Sequence, residues 1–230
     1  MKKKCTLLVL LTVMSTLIVT AQSDIYIKGG LNLANVSITD DGGIDDANTL
    51  GSFQVGFVGD IQLSKYISLQ PGLLVTGKGS KTQSGNVGDA NYYRASSNPI
   101  YLEIPANLVF RVPLEGPNSS FFFGAGPYVA MGFAGKRKAE GSVVGIDFSR
   151  EDNIEFSDDD PTTSGEEGAG FGILKRWDYG LNGLVGFQAD RAFIAVNYGH
   201  GLAKIQSGTT NGDDNNNKHR VLSFVVGFRL

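Results

Sequence analysis

From Asp24 onward the chain alternates. Apolar side chains take every second position over stretches of ten or more residues, and eight such stretches can be read. "DIYIKGGLNLANVSI" (24–38) puts Ile25, Ile27, Leu31 and Leu33 on one side. "LGSFQVGFVGDIQL" (50–63) sets Phe53, Val55, Phe57, Ile61 and Leu63 against Gln54, Gly56, Asp60 and Gln62. "YISLQPGLLVTGKG" (66–79) and "PIYLEIPANLVFRV" (99–112) repeat the pattern, with Gln70, Glu103, Asn107 and Arg111 on the polar side. "SFFFGAGPYVAMGFAG" (120–135), "WDYGLNGLVGFQA" (177–189), "AFIAVNYGHGLA" (192–203) and "HRVLSFVVGFRL" (219–230) complete the set. A period of two marks a strand whose faces see different surroundings. The class is all-β.

The gaps between these strands alternate as well. Ser64-Lys65, "PLEGPNS" and Asp190-Arg191 are short, whereas 39–49, 80–98, 136–176 and 204–218 are long and polar. A soluble sandwich has no reason to separate short turns from long loops so strictly, but a membrane barrel does, with tight turns at one end and long external loops at the other. The polar faces carry Gln54, Asp60, Gln70, Glu103, Asn107, Arg111, Asn182, Gln188, Asn197 and Arg229 among many glycines. A narrow, polar, glycine-rich interior beside a bulky exterior is the inside-out arrangement of a barrel in lipid. A soluble lipocalin-like barrel would invert these faces. The expected fold is an eight-stranded antiparallel up-and-down transmembrane β-barrel, closed last strand on first so that no backbone group is left unbonded.

The N-terminus fits that location. Lys2, Lys3 and Lys4 precede the apolar run Thr6–Val19, and Val19-Thr20-Ala21 offers small residues for cleavage. This is the layout of a secretory signal peptide over 1–21. At 14 residues the run falls short of the roughly 20 a spanning helix needs. Cys5 is the one cysteine, so the exported chain has neither a disulfide framework nor a thiolate metal site. The formal charge of −3 becomes −6 without the three lysines, which disfavours nucleic acid. Both chain ends are expected on the periplasmic side of the outer membrane.

"SLQPGLLVTGKGSK" (68–81), "YLEIPANLVFR" (101–111), "FFFGAGPYVAMGFAGK" (121–136), "LKRWDYGLNGLVGF" (174–187) and "NYGHGLAKI" (197–205) resemble the PorT-like outer membrane protein β-barrel domain. The resemblance covers essentially the whole exported chain. It implies the barrel fold and an outer-membrane location, with PorT-type members associated with protein secretion across that membrane. It also implies outer-membrane lipid and the barrel assembly machinery as partners. The ending Phe228-Arg229-Leu230 departs from the aromatic on which barrel insertion signals typically finish.

Candidate chemistry is sparse. Lys28, Asp60, Gln70, Glu103, Asn107, Arg111, Asn182 and Arg229 form an expected lumenal polar network, because charge at membrane depth must be paired. Eight strands leave just enough interior for side chains, so this network is read as a plug rather than an ion path. "DDGGIDDAN" (40–48) and "SDDDPTTSGEE" (157–167) are acidic but lack the spacing of a calcium loop. His200 and His219 are the only histidines, and Ser207 or Ser223 could pair with one at the rim of a lipid-modifying enzyme, although neither serine lies in a nucleophile motif. Trp177, Tyr179 and Tyr198 read as interface-girdle aromatics. Val144, Ile146 and Phe148 alternate within the third long loop and suggest a hairpin that recognises a protein partner by β-augmentation. No cofactor or metal motif is present. The reading is a non-enzymatic outer-membrane barrel with a structural or interaction role, a lipid-modifying enzyme and a narrow channel being its two alternatives.

Overall fold

The computed structural model describes residues 23–37, 49–85, 89–116, 119–157, 173–205 and 217–230. The signal-peptide segment, Ser207 and nearly all of both acidic stretches lie outside these residues. Among the described residues there are twelve strands: β1 Ser23–Ser37, β2 Leu50–Ser64, β3 Ile67–Gly77, β4 Ser80–Ser84, β5 Tyr92–Pro113, β6 Ser120–Val143, β7 Ile146–Asn153, β8 Glu155–Phe156, β9 Ile173–Leu174, β10 Trp177–Ala189, β11 Ala192–Gly201 and β12 Lys218–Arg229.

Eight of them make a ring. β1, β2, β3, β5, β6, β10, β11 and β12 pair in that order, all antiparallel, and β12 returns to β1 with Leu31 opposite Phe224 and Tyr26 opposite Arg229. Two-residue turns at 65–66 and 190–191 lie at one end with the β5–β6 connection. Long connections occupy the other end. Phe57, Leu108 and Phe224 point outward and stand exposed, while Gln54, Asp60, Glu103, Asn107 and Ser223 point inward and are buried. The outward apolar face continues round the whole ring, far beyond the patch a soluble monomer exposes. From Phe121 to Phe133 on β6 is about 40 Å along the strand at ~3.3 Å per residue, or about 30 Å of height at a tilt of ~40°. That matches a hydrocarbon core.

Two of the expected long loops are partly sheet. The stretch 80–98 holds β4 and the start of β5, and 136–176 holds the end of β6, all of β7 and the short β8 and β9. β4, β5, β6 and β7 thus form a four-stranded blade that continues the ring beyond its long-loop end. Sequence patterning hides it because the blade carries polar residues on both faces. A register shift between Ile100 and Tyr101 marks where ring becomes blade.

A nitroxide at position 57, 108 or 224 is expected to show the oxygen-rich, water-poor accessibility of acyl chains, with the opposite result at 223. Phe224→Arg, near mid-height, is expected to lower folding stability in lipid vesicles by about 2–4 kcal/mol in denaturant titrations.

Candidate functional site

The lumen is stratified, and each layer follows from which strand positions face inward. Nearest the short turns, Asp60 on β2 accepts Arg111 Nη1 of β5 at 2.7 Å and Gln70 Nε2 of β3 at 3.3 Å. Gln188 on β10 donates to the Tyr26 hydroxyl across the barrel at 3.1 Å.

At the same end sits a greasy cluster that the polar faces did not foretell, with Phe122 in register with Arg111 and Phe193 with Gln188. Val109, Phe122 and Ala195 pack together with Leu184 and Phe193. Phe193 meets Phe122 and Tyr26 edge-on, with ring centroids 5.9 and 5.5 Å apart. Gly227 makes this possible, since a Cβ there would run into the Phe193 ring.

Toward the long-loop end lies the densest electrostatic feature. Lys78, where β3 ends, places Nζ 2.7 Å from Glu103 Oε2 of β5 and 2.9 Å from Asp178 Oδ2 of β10. All three side chains are more than nine-tenths buried. The Tyr128 hydroxyl donates to the same Asp178 oxygen at 3.1 Å, and the ammonium lies 3.9 Å from the centre of the Tyr128 ring. Asn182 donates to Glu103 Oε1 at 3.4 Å. Alongside, fully buried Asn32 donates to Thr76 Oγ1 at 2.9 Å and accepts from Gln54 Nε2 at 3.0 Å. His219 Nε2 and the Tyr101 hydroxyl share a hydrogen bond of 3.2 Å.

A cap closes the mouth over this layer. β8 and β9 pair in parallel, and Ile154, Leu174 and Ile205 cluster with Val36 and Phe156. Phe156 sits edge-on to Tyr101 at 5.7 Å and fills the space that a side chain at Gly132 would need. Beneath the cap two cavities of about 30 Å³ each share Lys28, Pro105, Asn107, Leu184 and Asn197 in their walls. Each has room for about two waters and none for a sugar.

The model for an outer membrane protein beta-barrel domain matches residues 20–207. The chain belongs to this family. Its place is the outer membrane. Similar solved structures include the attachment invasion locus protein Ail of Yersinia pestis, also solved with the heparin analogue sucrose octasulfate, at 14% identity, TM-score 0.39, covering 90% of this chain and 99% of that one. Neisserial surface protein A gives 13%, 0.38, 90% and 97%, and OprG of Pseudomonas aeruginosa gives 16%, 0.36, 91% and 97%. No curated protein matches in sequence.

Within this outer-membrane barrel the eight expected network residues divide. Asp60, Gln70 and Arg111 meet in the lower layer, and Glu103 and Asn182 join the Lys78 cluster above. Lys28 and Asn107 lie between, lining both cavities, and no carboxylate among the described residues is within ion-pair distance of Lys28. Arg229 departs from the expected depth: it sits a quarter exposed at the short-turn rim, 3.4 Å from Asp24. The reason is its position at the last residue of β12. Lys78, Asp178, Tyr101 and Tyr128 were missed as site residues. Parity would have found them, since Lys78 follows Thr76 and Asp178 precedes Asn182 on inward positions. His219 and Ser223 are not brought together; four strand positions separate them, about 13 Å at ~3.3 Å each.

Replacing Lys78 by Met leaves two carboxylates buried against one another without a cation. Denaturant unfolding is expected to show a loss of about 3–5 kcal/mol. Adding Glu103→Gln and Asp178→Asn to the same chain is expected to recover most of it.

Proposed function

We propose that this outer-membrane barrel acts by recognition rather than by transport or catalysis, through the blade formed by β4–β7. The observation that carries the reading is Val144. It is a β-branched residue at φ 53°, followed by Gly145 at 77°, in the two-residue turn between β6 and β7. Such a turn favours Asn-Gly, and a β-branched residue pays about 1–2 kcal/mol to adopt the left-handed conformation. Nonetheless its side chain is 80% exposed, and Ile146 is 75% exposed beside it, with Val143 and Phe148 continuing the apolar tip. Strain kept at a site that packs against nothing points to a partner.

The tip is held ready. Val144 N–H donates to Asn91 Oδ1 at 2.9 Å and Gly145 N–H to Ala90 O at 3.0 Å, so the segment before β5 clasps the turn. Tyr93 and Phe148 face one another across the blade at 6.5 Å. β7 pairs on one side only among the described residues, and its other edge can accept a strand from a protein partner. Val144 itself lies in the turn and supplies apolar surface, while Ile146 and Phe148 lie on the strand.

The orientation that serves this role places the short turns and both chain ends in the periplasm, after removal of the signal peptide, with the blade outside. The stretches similar to PorT-like barrels support a place among them, and a secretion-associated role is the form of recognition that likeness favours. The narrow cavities support a plugged lumen.

Pulldown from outer-membrane extracts with the intact protein and with Ile146→Asp/Phe148→Ser is expected to show partners lost from the variant, which still displays heat-modifiable gel mobility. Val144→Asn is expected to stabilise the turn by about 1 kcal/mol while weakening capture. Partners retained by both variants would remove the blade from the reading. Liposomes bearing the barrel are expected not to swell in sugar solutions.

A further inference from the structure

The blade has a second face with a different character. Ser80, Ser97 and Pro99 line a small cavity at the barrel mouth, so these positions face inward. Alternation then turns Lys81 of β4, Arg94 of β5, and Lys136 and Lys138 of β6 to the outside. Lys81 pairs in register with Ser96, and Ser96 with Lys138, giving one row across three strands. Asn98 and Lys136 form the row below, and Arg94 and Glu140 the row above.

Two carboxylates lie at the base of this face, and a third, Asp147, lies nearer the tip opposite Ser142. Glu140 pairs with both Lys138 and Arg94, the latter at 3.6 Å, and Glu151 pairs with Lys136 at 2.6 Å. Hydrogen bonds from Lys138 and Lys136 hold these two carboxyls below their ordinary range, so both are ionised and the balance is four cations to two anions. Lys81 has no carboxylate among the described residues within ion-pair distance. A surplus of positive charge here runs against a chain whose net charge is −3.

Its height decides what it meets. Trp177 and Tyr179 stand exposed at the upper edge of the apolar belt, where Trp177 is opposite Met131. Phe133 is the last large lipid-facing side chain on β6. Lys136 lies three positions further, about 10 Å along a tilted strand and so about 8 Å higher, and the row of Lys138 and Lys81 lies about 13 Å higher. The headgroup zone extends roughly 5–8 Å beyond the hydrocarbon on each side. Long lysine stems reach back down into it.

We infer that the outward base of the blade, Lys136 with Lys81 and Lys138 in the row above it, is a docking surface for the phosphates of outer-leaflet lipid. It is independent of the partner proposed for the tip, which uses the opposite face and the turn. Bound lipid fixes the lower blade against the membrane surface and leaves the opposite face and the apolar tip free.

The full-length barrel in mixed micelles would be titrated with diphosphoryl lipid A and with its dephosphorylated counterpart. Tighter binding of the phosphorylated form, weakened by salt, is expected. Lys81→Gln/Lys136→Gln/Lys138→Gln is expected to lose at least tenfold, and Glu140→Gln/Glu151→Gln to gain severalfold, each with unchanged heat-modifiable mobility. Equal binding of the two lipids, or unchanged affinity in both variants, would overturn the inference. So would displacement of the lipid by millimolar inorganic phosphate, which would make the face a site for free anion.

Discussion

Backbone hydrogen bonding in hydrocarbon is the constraint from which the rest follows. A strand that crosses lipid cannot leave an N–H or C=O without a partner, so β12 must return to β1 and the sheet must close. Closure at eight strands fixes a small diameter. A small diameter forces inward side chains into contact with one another across the axis, and those contacts set which residues the interior tolerates.

Under that restriction the lumen behaves as a core turned polar at both ends. The Asp60–Arg111 pair and the Lys78 cluster each gather charges from strands distant in sequence, while Phe122 and Phe193 fill the interior beside the lower pair. Buried ion pairs contribute modest net stability, because desolvation offsets most of the Coulomb gain, but removing one member is costly. The clusters tie strands that are not neighbours across the interior, β2 to β5 and the end of β3 to β10. A lumen packed this way leaves the exposed blade as the part free to specialise.

Alternation made the ring legible. Every ring strand declares its faces through residues such as Phe57 against Gly56 or Phe224 against Ser223, and the contrast between Ser64-Lys65 and the long gaps places the two ends. The blade was legible only at Ile146 and Phe148, because outside the membrane neither face has to be apolar and "SKTQS" reads as loop. Within the lumen the polar candidates Glu103 and Arg111 stood out by type, but their partners needed geometry. Lys78 follows the end of β3 and its Asp178 partner is 100 positions away, a distance no local pattern spans. The aromatic layer was hidden for a simpler reason: Phe122 lies between Phe121 and Phe123, so its inward turn is masked by neighbours of the same kind.

The short parallel ladder at the mouth has a consequence for how the protein tolerates change. Ser157 N–H donates to Leu174 O at 3.0 Å, and Glu155 and Phe156 lie beside Ile173 and Leu174. The two ends of the intervening stretch are thus clamped together at the rim, and its closure is settled before its own sequence is consulted. Doubling the length of such a tethered segment costs only about 0.6 kcal/mol in chain entropy. The cylinder below is accordingly insulated from whatever joins these two clamped ends.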